Sequence, residues 1–278
     1  MADEMIRVDD GLATFAGRAA HAIAQIETRF RRMAAEFDAQ VLMAPPLVRV
    51  ADLDRIDYFE NFPHLGSWVS PLKAECLEHY THADSVNEIP ARDLGTAAYA
   101  LPSAACYGVY THLRDRTVDE SQTFTLTRQC FRREDMYRNL DRLWGFHMQE
   151  VVCVGAEQQV KDFLRRGKAE LKRIVEAIGL PIVIETAQDP FFSKENPRLA
   201  MQKMFPTKEE FQFSDRRLAI ASVNFHHNFF GERFDIRLPD GTPAFTGCVA
   251  MGQERWLAAL LDFHSGDLDA IETSLAQC

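Results

Sequence analysis

The 278-residue sequence predicts an α+β fold, with an antiparallel or mixed sheet covered by helices. Extended runs separated by hairpin-like turns fill much of the second half. Helical periodicity is grouped before, between and after these runs and does not alternate strictly with them. Neither GxGxxG nor GxxxxGKS/T occurs, so a bound nucleotide would rest in neither a dinucleotide-type nor a P-loop cradle.

The elements follow in order. Phe15, Ala19, Ile23, Ile26, Phe30, Met33 and Phe37 recur at intervals of three or four, one face of an amphipathic helix within an N-terminal helical segment over about 10–40. Val41-Leu42-Met43 reads as a short strand stopped by Pro45 and Pro46. A second helical pattern runs from Ala51 through Phe59 into Asn61-Phe62-Pro63. Thr96 to Tyr110 and Thr123 to Cys130 read as sheet, and Leu143 to Val154 as a further strand beyond the charged loop from Arg133 to Arg142. Glu157 to Ile178 carries Val160, Phe163, Leu164, Leu171, Ile174, Val175 and Ile178 at helical spacing and stops at Gly179 and Pro181. Extended runs follow at Pro181–Thr186, Glu209–Phe213 and Leu218–Phe225. Phe234–Leu238 and Ala244–Met251 flank a Pro239-Asp240-Gly241 turn as a hairpin, and a helix spans about Gln253 to Phe263. With no repeat and no linker rich in Gly, Ser or Pro, a single domain over 1–278 is expected.

Hydrophobic residues make up 46% of the chain, enough to bury a large core. No run of about 18 apolar residues occurs and the first ten residues are acidic, so a cytoplasmic protein without a membrane segment is expected. The six cysteines, at 76, 106, 130, 153, 248 and 278, form no CxxC pair and read as free thiols or metal ligands. A formal charge of −10 argues against a large phosphate-backbone footprint and hence against bulk tRNA binding. One local exception is a basic stripe on the 157–178 helix, where Lys161, Arg165, Lys168 and Lys172 are spaced by four, three and four.

Two patterns carry chemistry. Cys130-Phe131-Arg132-Arg133-Glu134 leads through a charged loop to Arg142-Leu143-Trp144-Gly145-Phe146 and on to Glu150. Arginines there can fork onto phosphate oxygens and Phe146 can stack on a base, although the same residues also read as a solvated hairpin. In Gly247-Cys248-Val249-Ala250-Met251-Gly252-Gln253-Glu254-Arg255, a strand runs into a helix. Gly252 allows close backbone approach and Arg255 falls in the first helical turn.

In this order the patterns resemble motifs 2 and 3 of class II aminoacyl-tRNA synthetases, and the helix ending at Phe62-Pro63 resembles motif 1, which dimerises that class. Cys-Phe-Arg-x-Glu with a downstream Phe-x-x-x-Glu is most similar to the atypical, zinc-dependent seryl-tRNA synthetases. It is closer still to their truncated relatives, the amino acid:carrier-protein ligases, which load a small amino acid onto the phosphopantetheine thiol of an acyl or peptidyl carrier protein. The resemblance implies a class II antiparallel sheet flanked by helices and ATP as substrate. In that frame Arg132 and Glu134 hold the α-phosphate and the adenine amino group, Arg142 reaches the γ-phosphate, Phe146 and Arg255 sandwich the adenine, and Ala219, Ile220, Ala221 and Ser222, with Leu143, line the nucleotide. It further implies a Zn²⁺ on Cys106, Glu150 and Cys248 with a fourth position open to the substrate amine, and Asn224 beside the amino acid. Where the family carries a Mg²⁺-binding glutamate this chain has Leu218, leaving Glu210 and Asp215 as candidates for Mg²⁺. His226 and His227 are further candidate ligands. A homodimer and a glycine or alanine substrate are expected; the alternatives are a seryl-type enzyme using a separate tRNA-binding chain and a catalytically silent paralogue.

Overall fold

The computed structural model describes residues 5–193, 195 and 207–276; Cys278 lies outside them. In chain order the elements are β1 (Ile6–Asp9), β2 (Leu12–Phe15), α1 (Gly17–Ala35), β3 (Gln40–Val41), β4 (Val48–Arg49), α2 (Val50–Arg55), α3 (Tyr58–Asn61), β5 (Trp68–Val69), α4 (Leu77–Thr81), β6 (Tyr99–Ala100) and α5 (Tyr107–His112). There follow β7 (Gln122–Phe131), β8 (Gly145–Gly155), α6 (Glu157–Ile178), β9 (Ile182–Thr186), β10 (Lys208–Phe213), β11 (Leu218–Phe225), α7 (Phe229–Phe234), β12 (Phe245–Gly252), α8 (Gln253–Phe263) and α9 (Leu268–Ala276).

The main sheet runs β1-β2-β8-β12-β11-β10-β9, with β7 also paired to β8 and β3 to β7. It is antiparallel except for the short β2–β8 and β3–β7 contacts, as the α+β reading expects. The sheet divides two cores. Val151, Cys153, Val223, Val249 and Met251 pack with α1, α6, α8 and α9 through Ile26, Phe30, Leu171, Ile174, Trp256 and Ile271. Residues of opposite parity, Val152, Val154, Cys248 and Ala250, pack with α5 and α7 through Tyr110, Phe230 and Phe234. Long helices with a continuous apolar stripe cover one face. Among the described residues the other face meets only short helices, and the cavity lies there.

Local chemistry explains the best-defined helix. Gln159 Oε1 accepts the Ala156 N–H at 3.0 Å, satisfying one orphan donor at the start of α6, and Gly179 ends it in the left-handed region at φ 77°. Elsewhere the structure differs from the periodicity. Ala51–Phe59 is not one helix, because Asp57 takes a left-handed φ of 54° and separates α2 from α3. In Thr96–Tyr110 only Tyr99–Ala100 is strand, and α5 begins at Tyr107. Phe234–Leu238 turns back on residues 242–244, with the Leu238 N–H on the Thr242 carbonyl at 2.8 Å and the Ala244 N–H on the Ile236 carbonyl at 2.9 Å, but the pairing does not continue along β12. Phe234 ends α7, Arg237 makes an isolated bridge to Pro243, and β12 pairs with β8 and β11 instead. The β1–β2 hairpin and α9 were not expected.

Candidate active site

β8, β12 and β11 place the candidate residues by alternation. Phe146, Met148 and Glu150 share one face of β8; Ala250 stands opposite Glu150 and Ser222, and Asn224 opposite Cys248. A bulge leaves Ile220 without a partner on β10, beside Ala219, whose carbonyl faces the start of α8. These strands floor a cavity of about 560 Å³. Arg132, Glu134, Leu143, Phe146, Glu150, Ala219, Ile220, Ala221, Ser222, Asn224, Arg255, Cys106 and Cys248 all line it. Arg142 does not. It lies largely exposed and pairs with Glu134 at 3.0 Å.

The two arginines are each hydrogen-bonded to main-chain carbonyls, and among the described residues neither forms an ion pair. Arg132 Nε donates to the Ser103 carbonyl at 3.0 Å, and its guanidinium lies 5.2 Å from the centre of the Phe146 ring, a cation–π contact. Arg255 Nε donates to the Asp141 carbonyl at 2.9 Å and Nη1 to the Ala219 carbonyl at 3.1 Å. Burial, then repulsion by Arg132, lowers the Arg255 pKa from its usual value. Two fixed cations near each other in a mostly apolar cavity make a seat for a polyanion. Of the two Mg²⁺ candidates, Glu210 lines the cavity and bonds to Lys208 at 3.2 Å, whereas Asp215 does not line it.

Cys106, Glu150 and Cys248 also converge. Glu150 Oε1 accepts the Ala105 N–H at 3.2 Å, while Oε2 is buried without a well-formed partner. Burial raises the Glu150 carboxyl, with the thiols of Cys248 and Cys106 and the Ala105 N–H opposing that shift. The Cys106 thiol is pushed well up by its hydrogen bond with Cys248, by burial and by Glu150. Asn224 Nδ2 donates to Cys248 Sγ at 3.3 Å and to Ser222 Oγ at 3.0 Å. His226 stands beyond, with Nε2 3.8 Å from Cys248 Sγ and Nδ1 3.1 Å from Tyr110 Oη. Burial lowers its pKa to about 4, so it is neutral. Among the described residues no group of three or more His, Cys, Asp or Glu side chains is arranged as a metal site; the trio bonds internally. Cys130 is a packed strand thiol, raised to about 12 by burial.

Several wall residues escape sequence reasoning. Ser103 and Ala104 come from a coil before α5. Phe62 stacks on Phe191 at 5.1 Å, and Lys208 pairs with Asp189 at 3.4 Å. No local pattern marks Ser103, Ala104, Phe191 or Lys208, and Phe62 was read only as the end of the motif 1-like helix. Glu254 had a signal, its place beside Arg255 in the first turn of α8, yet its partner His147 is 107 residues away.

Known proteins place this geometry. Residues 91–264, more than half of the chain, match the tRNA synthetase class II core domain (G, H, P, S and T). Two curated proteins of Bradyrhizobium diazoefficiens are similar. Amino acid–acyl-carrier-protein ligase 1 is 31% identical over 255 residues, 84% of this chain and 74% of that protein. Ligase 2 is 32% identical over 243 residues, 84% of this chain and 72% of that protein. The Methanopyrus kandleri seryl-tRNA synthetase, solved with an Aquifex aeolicus tRNASec, superposes with a TM-score of 0.82 at 20% identity, over 98% of this chain and 59% of that one. With the class II core present and both ligases matched over most of their length, the chain belongs to the amino acid–acyl-carrier-protein ligases, enzymes built on the class II synthetase fold.

Proposed function

We propose that the protein activates a small amino acid, glycine or alanine, with ATP and transfers it to the phosphopantetheine thiol of a carrier protein. The observation that carries this reading is the shared cavity, in which Arg132 and Arg255, neither in an ion pair among the described residues, share a floor with Cys106, Glu150, Cys248 and Asn224. In the first step a carboxylate oxygen of the amino acid attacks the α-phosphorus of ATP and pyrophosphate leaves. Arg132 and Arg255 neutralise the charge that builds on the transferring phosphoryl group, and Phe146 stacks on the adenine. In the second step the arm's thiolate attacks the adenylate carbonyl, AMP departs and a thioester forms. Glu210 is the acidic wall residue suited to Mg²⁺. Arg142, at the rim, reaches the γ-phosphate by exchanging its Glu134 pair. ATP–pyrophosphate exchange measured across the twenty amino acids tests the reading; exchange with none of them overturns it.

The donor set of Cys106, Glu150 and Cys248 fits Zn²⁺, and the orphaned Glu150 Oε2 is the polar atom such an ion satisfies. When bound there, zinc supplies a Lewis-acidic seat for the substrate amine. Cys248→Ser is expected to remove most zinc, read by elemental analysis; full retention rejects the site. The cavity leaves Asn224 to orient the amino acid. A cytoplasmic location, no tRNA partner and a homodimer complete the proposal. The location agrees with the absence, among the described residues, of any helix long and apolar enough to cross a membrane.

A further inference from the structure

On the side of β8 that faces β12, the ladder is interrupted. β12 ends opposite Met148, with Gly252 as its last partner. Two N–H groups beyond that point are taken from elsewhere. The Gly145 N–H goes to the Gly11 carbonyl at 3.2 Å, and the His147 N–H goes to both carboxylate oxygens of Glu254, each at 2.9 Å. Glu254 Oε1 also bonds His147 Nδ1 at 2.7 Å. A buried side chain from the first turn of α8 thus supplies the missing rung of a strand. That rung lies between Phe146, which lines the cavity, and Met148.

We propose that Glu254 is a positioning residue that sets the gap between Phe146 and Arg255, the two walls of the adenine slot, by stapling β8 to α8 through His147. This rests on the reading of the cavity as an ATP site. Arg255 follows Glu254 in the chain, but its guanidinium is held independently by the Asp141 and Ala219 carbonyls. On that edge the Phe146 wall is held on one side by the Gly145 N–H bond to Gly11 and on the other only by the His147–Glu254 contact. Removing the staple frees the Phe146 wall and leaves the charge clamp in place. Such a change weakens binding of ground state and transition state alike, so it raises KM and leaves kcat nearly intact.

The ring adds a titratable half to the staple. The hydrogen bond to Glu254 raises the His147 pKa, burial opposes it, and Glu254 and Glu27 act in the same raising direction through their charge. Glu27 comes from α1 and is itself paired with Arg31 at 2.6 Å. The charge-assisted form of the bond is present below the raised pKa and weakens as pH climbs through it.

The test measures the ATP dissociation constant by calorimetry, and KM and kcat by pyrophosphate exchange, for the wild type, Glu254→Gln, His147→Ala and His147→Asn. Glu254→Gln, which keeps one acceptor but loses the charge and the second, is expected to weaken ATP binding about ten-fold with kcat within about two-fold, the loss of one charge-assisted hydrogen bond. His147→Ala is expected to weaken it less. His147→Asn, whose amide nitrogen can stand where Nδ1 does, restores binding. As pH rises through the raised His147 pKa the wild-type KM for ATP rises, whereas that of His147→Asn stays flat. Unchanged ATP affinity in Glu254→Gln, or a fall in kcat at constant KM, overturns the staple. If Glu254→Gln does not fold, unchanged affinity in His147→Ala overturns it equally, because that half-exposed ring is not part of the core. A wild type that neither binds nor exchanges ATP sinks the activation reading itself; an active wild type with indifferent variants sinks only the staple.

Discussion

Arg255 concentrates what single side chains contribute. Its guanidinium is held by two carbonyls; burial and then Arg132 disfavour its charge, while Glu210, Glu134 and Asp141 offset this only in part. Arg255→Ala is expected to leave the fold intact, since Trp256 and Leu257 rather than Arg255 anchor α8 in the core. It should lower exchange by two or more orders of magnitude, about 3 kcal/mol of transition-state stabilisation. A folded variant with a near-normal rate would refute the clamp. Residues of this kind were legible in the sequence because motif spacing survives without neighbours. Arg132, Glu134, Phe146 and Arg255 each lie next to an element boundary. Ser103, Lys208 and Phe191 were not legible, since what makes them wall residues is a long-range contact and not a local pattern. Arg142 shows the opposite case, a motif residue whose side chain turns out to the rim and pairs with Glu134.

At the scale of elements, periodicity identified α1, α6, α8, β7, β8 and β11, each long enough for several repeats of its pattern to agree. It failed where one residue breaks a pattern, as Asp57 does between α2 and α3, and where an element is shorter than its own signature, as β1 and β2 are. That unexpected hairpin braces the charged loop. The Gly11 carbonyl accepts the Trp144 N–H at 2.8 Å. Gly11 itself has φ 77°, and a Cβ there would lie 2.6 Å from the Tyr137 ring. Gly11→Ala therefore displaces the loop that carries Glu134, and a several-fold rise in KM for ATP is expected; an unchanged KM would show the loop to be held without the hairpin. The basic stripe on α6 also looks different in three dimensions. Lys161 pairs with Glu157, Arg165 with Asp162 and Lys168 with Glu209, so most of its charge is already balanced for any acidic partner.

Across the whole molecule, the side opposite the long helices carries exposed apolar residues. Phe59 stacks on Trp68 at 5.3 Å, with both about 40% exposed, and Val69 and Tyr99 of the small β4-β6-β5 sheet lie exposed as well. An exposed apolar patch of this kind is what a two-fold dimer would cover. Trp68→Asp is expected to shift the mass measured by light scattering from about 63 kDa, twice the 31.7 kDa chain, toward the monomer value; a wild type already monomeric at micromolar concentration would reject the dimer. The sheet that divides the two cores has a kinetic consequence as well. Packing units of this kind can open separately, and the core roofed by α5 and α7, each six residues long, is expected to open first. Amide deuteration should therefore reach α5 and α7 well before it reaches α6. Ligand entry would then draw on an opening that leaves the helix-side half folded, so that the half of the molecule that binds can breathe while the half that stores its stability stays shut.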